Sequence, residues 1–287
     1  MIRPNIKVKL VSQMKGHKDA IYDFVYDKKC NLVYSVGADG YIVSWDMDNP
    51  EQGKLILTAS EALYSVNLED NLLQAGSRSG IVYRVDLENK KLVAQSSRHK
   101  GGVFFIRGES SGGEDGMLFS KDADSKKVTS DSLRCYAEDR SYFYIGSSDN
   151  NIYQLRKETL ETAQIFSGHT NSVFSLELLD ENTLVSTGRD ARIRAWDLTI
   201  GKEVHAVPAH EYQAKSLSWN GELLLSSSMD KTIKVWNDQL DLLKVIDFER
   251  YKGHTNCINK VLWIDENLFV SCSDDRTLCL WKVEIMP

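Results

Sequence analysis

A histidine, a serine and an aspartate hydrogen-bonded in series can activate a hydrolytic nucleophile. This 287-residue chain carries those residue types together four times. The sets are His17, Ser35 and Asp39; His169, Ser186 and Asp190; His210, Ser226 and Asp230; and His254, Ser271 and Asp275. Each Ser lies four residues before its Asp, and a tryptophan follows six residues after it: Trp45, Trp196, Trp236 and Trp281. The His-to-Asp interval is 20, 21 or 22 residues. A catalytic set is needed once, so fourfold repetition argues that these residues brace a copied structural unit. Other chemistry has less support. No His or Cys cluster has zinc-ligand spacing, and no phosphate loop, carboxylate pair or nucleophile elbow is present. No catalytic residue, metal or cofactor is assigned.

The elements that must position these residues are hairpins. Leu184 to Trp196 alternates apolar and polar residues on both sides of a tight turn at Asp190, the signature of two antiparallel strands. No stretch shows a comparable 3.6-residue period, so an all-β fold is expected. With this hairpin as a ruler, weaker copies emerge: Gly80–Lys91 aligns with Gly116–Lys127, and Ser147–Leu155 gives another. Seven turns result, near residues 39, 79, 115, 149, 190, 230 and 275, spaced as in four-stranded propeller blades of about 40–45 residues. The third copy is short. Either the glycine-rich run Gly108–Gly116 replaces its second strand with a loop, or Leu118–Val128 is the hairpin and the next strand is missing; the match to residues 80–91 favours the loop.

Gly16-His17, Gly168-His169 and Gly253-His254, with Trp45-Asp46 and Trp196-Asp197, resemble the signatures of the WD-repeat (WD40) family. The resemblance covers essentially the whole chain and is strong in repeats one, five, six and seven. Repeats two to four depart from it, with Val85, Lys121 and Leu155 in the tryptophan slot. It implies a seven-bladed propeller of four-stranded antiparallel blades over residues 1–287, closed by the segment Ile6–Val11 as the missing outer strand of the last blade. It also implies the bonding of the brace: Trp N–H to Ser, Ser to His, His to the turn Asp. Trp219 and Trp263 are expected in the core between blades. Cys272 and Cys279 are expected as two small buried residues, with a redox pair across the hairpin as the alternative.

In such propellers function usually sits at the top face, around the central channel. Carrying the first-strand bulge position across the repeats gives Tyr22, Tyr64, Phe104, Arg134, Phe174, Lys215 and Asn259. Small neighbours such as Ala20 and Gly102 would leave these rings accessible. The residue before each turn Asp adds Arg78 and Arg189. Aromatics and arginines on one rim are enriched at protein interfaces. A non-enzymatic scaffold is therefore expected, binding an acidic or aromatic-containing protein or peptide. The alternative is a subunit of an RNA- or ribosome-associated assembly that reads phosphates through the same Arg and Lys residues.

Composition narrows the setting. A net charge of −6 disfavours binding driven by bulk attraction to nucleic acid. No run approaches the roughly 18 apolar residues of a membrane helix, and no apolar export segment follows Met1. Five scattered cysteines fit a reducing compartment. A stand-alone, monomeric, cytoplasmic propeller is the expectation.

Overall fold

The computed structural model describes residues 5–286 apart from Asp122 and Asp124, so part of the Gly116–Lys127 repeat comparison lies outside the described residues. Its strands form seven four-stranded antiparallel sheets. In six blades the strands run in chain order from the channel outward; blade one, for example, is Ile21–Asp27, Leu32–Gly37, Tyr41–Asp46 and Asn49–Thr58. The seventh runs Ile258–Trp263, Leu268–Ser273, Thr277–Met286 and then Asn5–Lys15, which pairs antiparallel with Thr277–Met286. The N-terminal strand thus joins the last blade and closes the ring. Because each blade buries its faces against its neighbours, an open stack would expose two apolar sheet faces, and closure removes them.

The core lies between the blades. Trp263, Phe269 and Trp281 share one buried cluster with Ile6 and Val8 of the closing strand. Trp219, half-buried, packs against the cluster between blades five and six. The joint between blades two and three is thin by comparison, a small cluster of Val82, Val103 and Ile106. The seam between blades seven and one is also polar: Lys260 Nζ donates to Asp23 Oδ1 at 2.5 Å and to the Phe24 carbonyl. Asp23 Oδ2 in turn accepts from the Val66 amide at 2.8 Å, so one carboxylate ties blades seven, one and two.

One expectation is corrected, and for the cysteines the alternative fails. The glycine-rich run is not a loop: Ser110–Gly113 is a buried strand between Val103–Arg107 and Met117–Phe119, and Lys126–Lys127 completes a small fourth blade strand. Glycine is there for close packing, since a Cβ on Gly112 would meet the Phe105 ring at 2.3 Å. Leu118 pairs with Lys126, as the alternative hairpin over Leu118–Val128 requires, but no strand of the blade is missing. The redox alternative for Cys272 and Cys279 also fails. Cys272 pairs with Leu278 and Cys279 with Ser271, and the two thiols enter different core clusters on opposite faces of the sheet.

Candidate functional site at the channel mouth

The four tetrads form as continuous chains. In blade five the Trp196 indole N–H donates to Ser186 Oγ at 2.8 Å, Ser186 shares 2.7 Å with His169 Nε2, and His169 Nδ1 lies 2.9 Å from Asp190. Ser35, Ser226 and Ser271 repeat this with Trp45 and His17, Trp236 and His210, and Trp281 and His254. Their imidazoles reach Asp39, Asp230 and Asp275 at 3.0, 2.8 and 3.1 Å. All four serines are fully buried. A seryl oxygen sealed from solvent and holding two rings reaches no substrate, so the arrangement is a brace. Burial pushes the Asp190 carboxyl up, but His169 and the amides of Thr170 and Arg192 outweigh it and hold it at about 2. Asp275 is held at about 2 in the same way by His254 and Thr277.

Blade three carries a fifth brace without tryptophan: His99 bridges Ser111 at 3.0 Å and Asp115 at 2.9 Å, with Phe119 edge-on to the imidazole. Sequence reasoning missed Ser111, although it stands four residues before Asp115 like the other four serines. Blade two reverses the polarity: Glu61 supplies the carboxylate before the first strand and accepts from the amide and hydroxyl of Ser79 in the turn. In blade four Thr129 and Tyr153 replace the imidazole on Asp149.

Every innermost strand has one bulge near its top end, where two of its residues oppose one of the next strand. The extra residue is Tyr22, Tyr64, Phe104, Arg134, Phe174, Lys215 or Asn259. A bulge turns its side chain out of the ladder, here into the mouth of the channel. All seven line one cavity of about 210 Å³.

Six of them form an unbroken arc. Tyr22 meets Tyr64 edge-on at 5.5 Å, and Tyr64 stacks on Phe104 at 5.7 Å and 12°. The Arg134 guanidinium lies 4.2 Å from the Phe104 centroid and 5.9 Å from that of Phe174, and Lys215 Nζ lies 4.9 Å from Phe174. The rings therefore pack on one another and are half-buried. Small neighbours do matter: a Cβ on Gly102 would meet the Tyr64 ring at 2.9 Å. Burial lowers the Arg134 basicity from the usual arginine value and raises that of Tyr22, with Asp274 adding to the latter. Arg134 Nε donates to Ser148 Oγ at 2.8 Å, and its terminal nitrogens have no protein acceptor among the described residues.

Asn259 stands apart from the arc. Its amide donates to the Ile21 carbonyl at 2.9 Å, across the seam between blades seven and one, and to Asp274 of its own blade at 2.7 Å. Arg78 and Arg189 lie outside the cavity, exposed on the rim. Beside Met229, the residue before the turn Asp of blade six, the structure adds an apolar neighbour, Tyr212: the two are 48% and 61% exposed, the Met229 amide donates to the Gln213 carbonyl, and the Tyr212 carbonyl accepts from Ser228 Oγ. Among the described residues no group of His, Cys, Asp and Glu has the arrangement to hold a metal.

The family model described as "WD domain, G-beta repeat" matches residues 8–46, 160–197, 201–237 and 247–282, more than half of the chain. The chain belongs to the WD-repeat family. The matched segments are the four blades with complete tetrads, and the unmatched arc is where the WD-repeat brace is rebuilt from other residues. The chain is 25% identical over 264 residues to the GATOR2 complex protein WDR24 of Homo sapiens, covering 87% of this chain and 30% of that protein. It is 22% identical over 288 residues to a 66 kDa stress protein of Physarum polycephalum, covering 94% and 47%. The chain thus spans less than half the length of either relative. Among solved structures it is similar to the WD40 β-propeller domain of Doa1, with TM-score 0.83, 20% identity and coverage of 96% and 97%. That likeness concerns the fold.

Proposed function

We propose that this propeller is a non-enzymatic docking module that holds a protein or peptide partner over the channel mouth, working in the cytoplasm. The observation that carries the reading is the continuous arc from Tyr22 through Arg134 to Lys215. Its side chains are already ordered by stacking, so a partner meets large rings and a fixed guanidinium at little entropic cost. The free terminal nitrogens of Arg134, with Lys215 and Arg189 beside them, suit a carboxylate inserted from the partner. Tyr212 and Met229 offer apolar contact at the edge of the same face. The name of the human relative places that protein in a complex, which agrees with a docking role. Five free thiols suit a reducing compartment. Phosphate reading by the same cations has less support, because exposed Glu114 and half-buried Asp274 share the rim.

The test is quantitative affinity purification with the wild-type chain and with Tyr22→Ala, Phe174→Ala and Arg134→Ala. Partners should be captured by the wild type and lost, by about tenfold or more, in the Arg134 and Phe174 variants. Equal capture by all four proteins would refute the reading. Salt-sensitive retention on RNA through Arg78, Arg134 and Arg189 would replace it with the nucleic-acid alternative.

A further inference from the structure

A second cavity, of about 420 Å³, opens on the top rim between the outer parts of blades seven and one. Three cations line it: Lys15, Lys252 and Arg276, all exposed. None makes an ion pair among the described residues. The acidic group in the wall, Asp275, is already engaged by His254, Thr277 and the Thr255 amide.

This concentration of positive charge comes from where particular repeats fall on the ring. Two repeats begin Lys-Gly-His, Lys15-Gly16-His17 and Lys252-Gly253-His254, and ring closure makes those blades neighbours. The glycines are fixed by packing, since a Cβ on Gly253 would meet Trp281 at 2.3 Å and one on Gly16 would meet Trp45 at 2.9 Å. The lysines before them carry no such duty. Arg276 follows the turn Asp between them, where the other blades have Gly40, Gly80, Gly116, Asn150, Ala191 and Lys231. The helical turn Phe248–Tyr251, inserted ahead of blade seven, adds the remaining wall. Its cap Asp247 is paired with Arg250, while Lys252 lies 5.3 Å from the centroid of Phe248, a ring left 42% exposed at the lip.

We infer that this rim cavity is a binding site for a phosphorylated side chain of a protein partner, separate from the channel mouth. A phosphomonoester carries close to two negative charges at neutral pH and several acceptor oxygens, which answers three unpaired cations and the Thr255 hydroxyl better than one carboxylate does. The cavity is roomier than a lone phosphate requires, and Phe248 offers a face to a side chain next to the modified residue. The inference does not depend on the reading of the channel mouth.

The experiment is selection by the full chain from a degenerate peptide library with a fixed phosphothreonine, beside its unphosphorylated twin, with inorganic phosphate as competitor. Enrichment of phosphorylated over unphosphorylated peptides is expected at about tenfold. It should be lost in Lys15→Ala/Lys252→Ala/Arg276→Ala, kept in Arg134→Ala, and retained when Lys15 is replaced by Arg. Thr255→Glu, which places a carboxylate in the cavity, gives a second variant should the triple one fail to fold, and it should abolish the enrichment too. No enrichment by the wild type, or undiminished enrichment in folded triple or Thr255→Glu protein, would overturn the assignment. Inorganic phosphate competing as well as the peptides would overturn the partner and leave only a small-anion site.

Discussion

Ser186 holds two buried ring nitrogens at once, the Trp196 N–H and His169 Nε2. Ser186→Ala strands both and is expected to cost about 1–3 kcal/mol of stability in urea melts. Ser111→Ala in blade three strands one ring and should cost less. Acid acts on the same groups. Asp190 and Asp275, at about 2 in the folded protein, titrate near 3.9 when unfolded. Their stabilisation is therefore present above about pH 4 and is lost as the pH falls toward 2. Burial, opposed by Asp115 and Asp230, holds His99 and His210 below the ordinary imidazole value. For them the unfolded chain gains protons first, so stability already declines below about pH 6.5. Melting temperatures should fall in two stages on acidification; a flat profile between pH 7 and 3 would contradict this. The complete tetrads were legible because spacing alone aligns them. The Glu61–Ser79 and Thr129–Asp149–Tyr153 substitutes were not, since they use other residue types, and in Tyr153 a side chain from the third strand, to satisfy the same turn.

At the scale of elements, closure depends on the strand Asn5–Lys15, which contributes Ile6 and Val8 to the core of the last blade. Removing residues 1–12 uncovers that cluster and strips residues 280–286 of their outer partner. The truncated chain is expected to melt at a clearly lower temperature and less cooperatively, as followed by calorimetry; unchanged melting would rule the closure out. Blade three has the opposite character. Its outer strands are the three-residue Met117–Phe119 and two-residue Lys126–Lys127, and its joint with blade two buries little. Amide exchange should be fastest in blade three and slowest in blades five to seven. The closing strand was readable because an alternating segment stood outside any complete repeat. The glycine-rich strand was misread because glycine signals a loop by default, and only the Phe105 ring above it shows why glycine is required in a strand.

For the whole molecule, the ring converts seven copies of one bulge into one mouth, and copying explains why the mouth could be read from sequence even through the degenerate repeats. The contacts that join it were not readable: stacking of Tyr64 on Phe104, and Arg134 between two rings, depend on the rotation from blade to blade. The exposed pair Tyr212–Met229 and the duty of Asn259 at the seam likewise follow from placement on the ring. We propose a division of labour, in which repeated polar residues hold the fold and the residues beside them bind. It is tested most directly by measuring partner capture and melting temperature in parallel for Phe174→Ala and Ser186→Ala. Phe174→Ala should lose the partner with its melting temperature nearly unchanged, and Ser186→Ala should melt earlier yet bind normally while folded. Full capture by Phe174→Ala, or binding lost in folded Ser186→Ala, would contradict it.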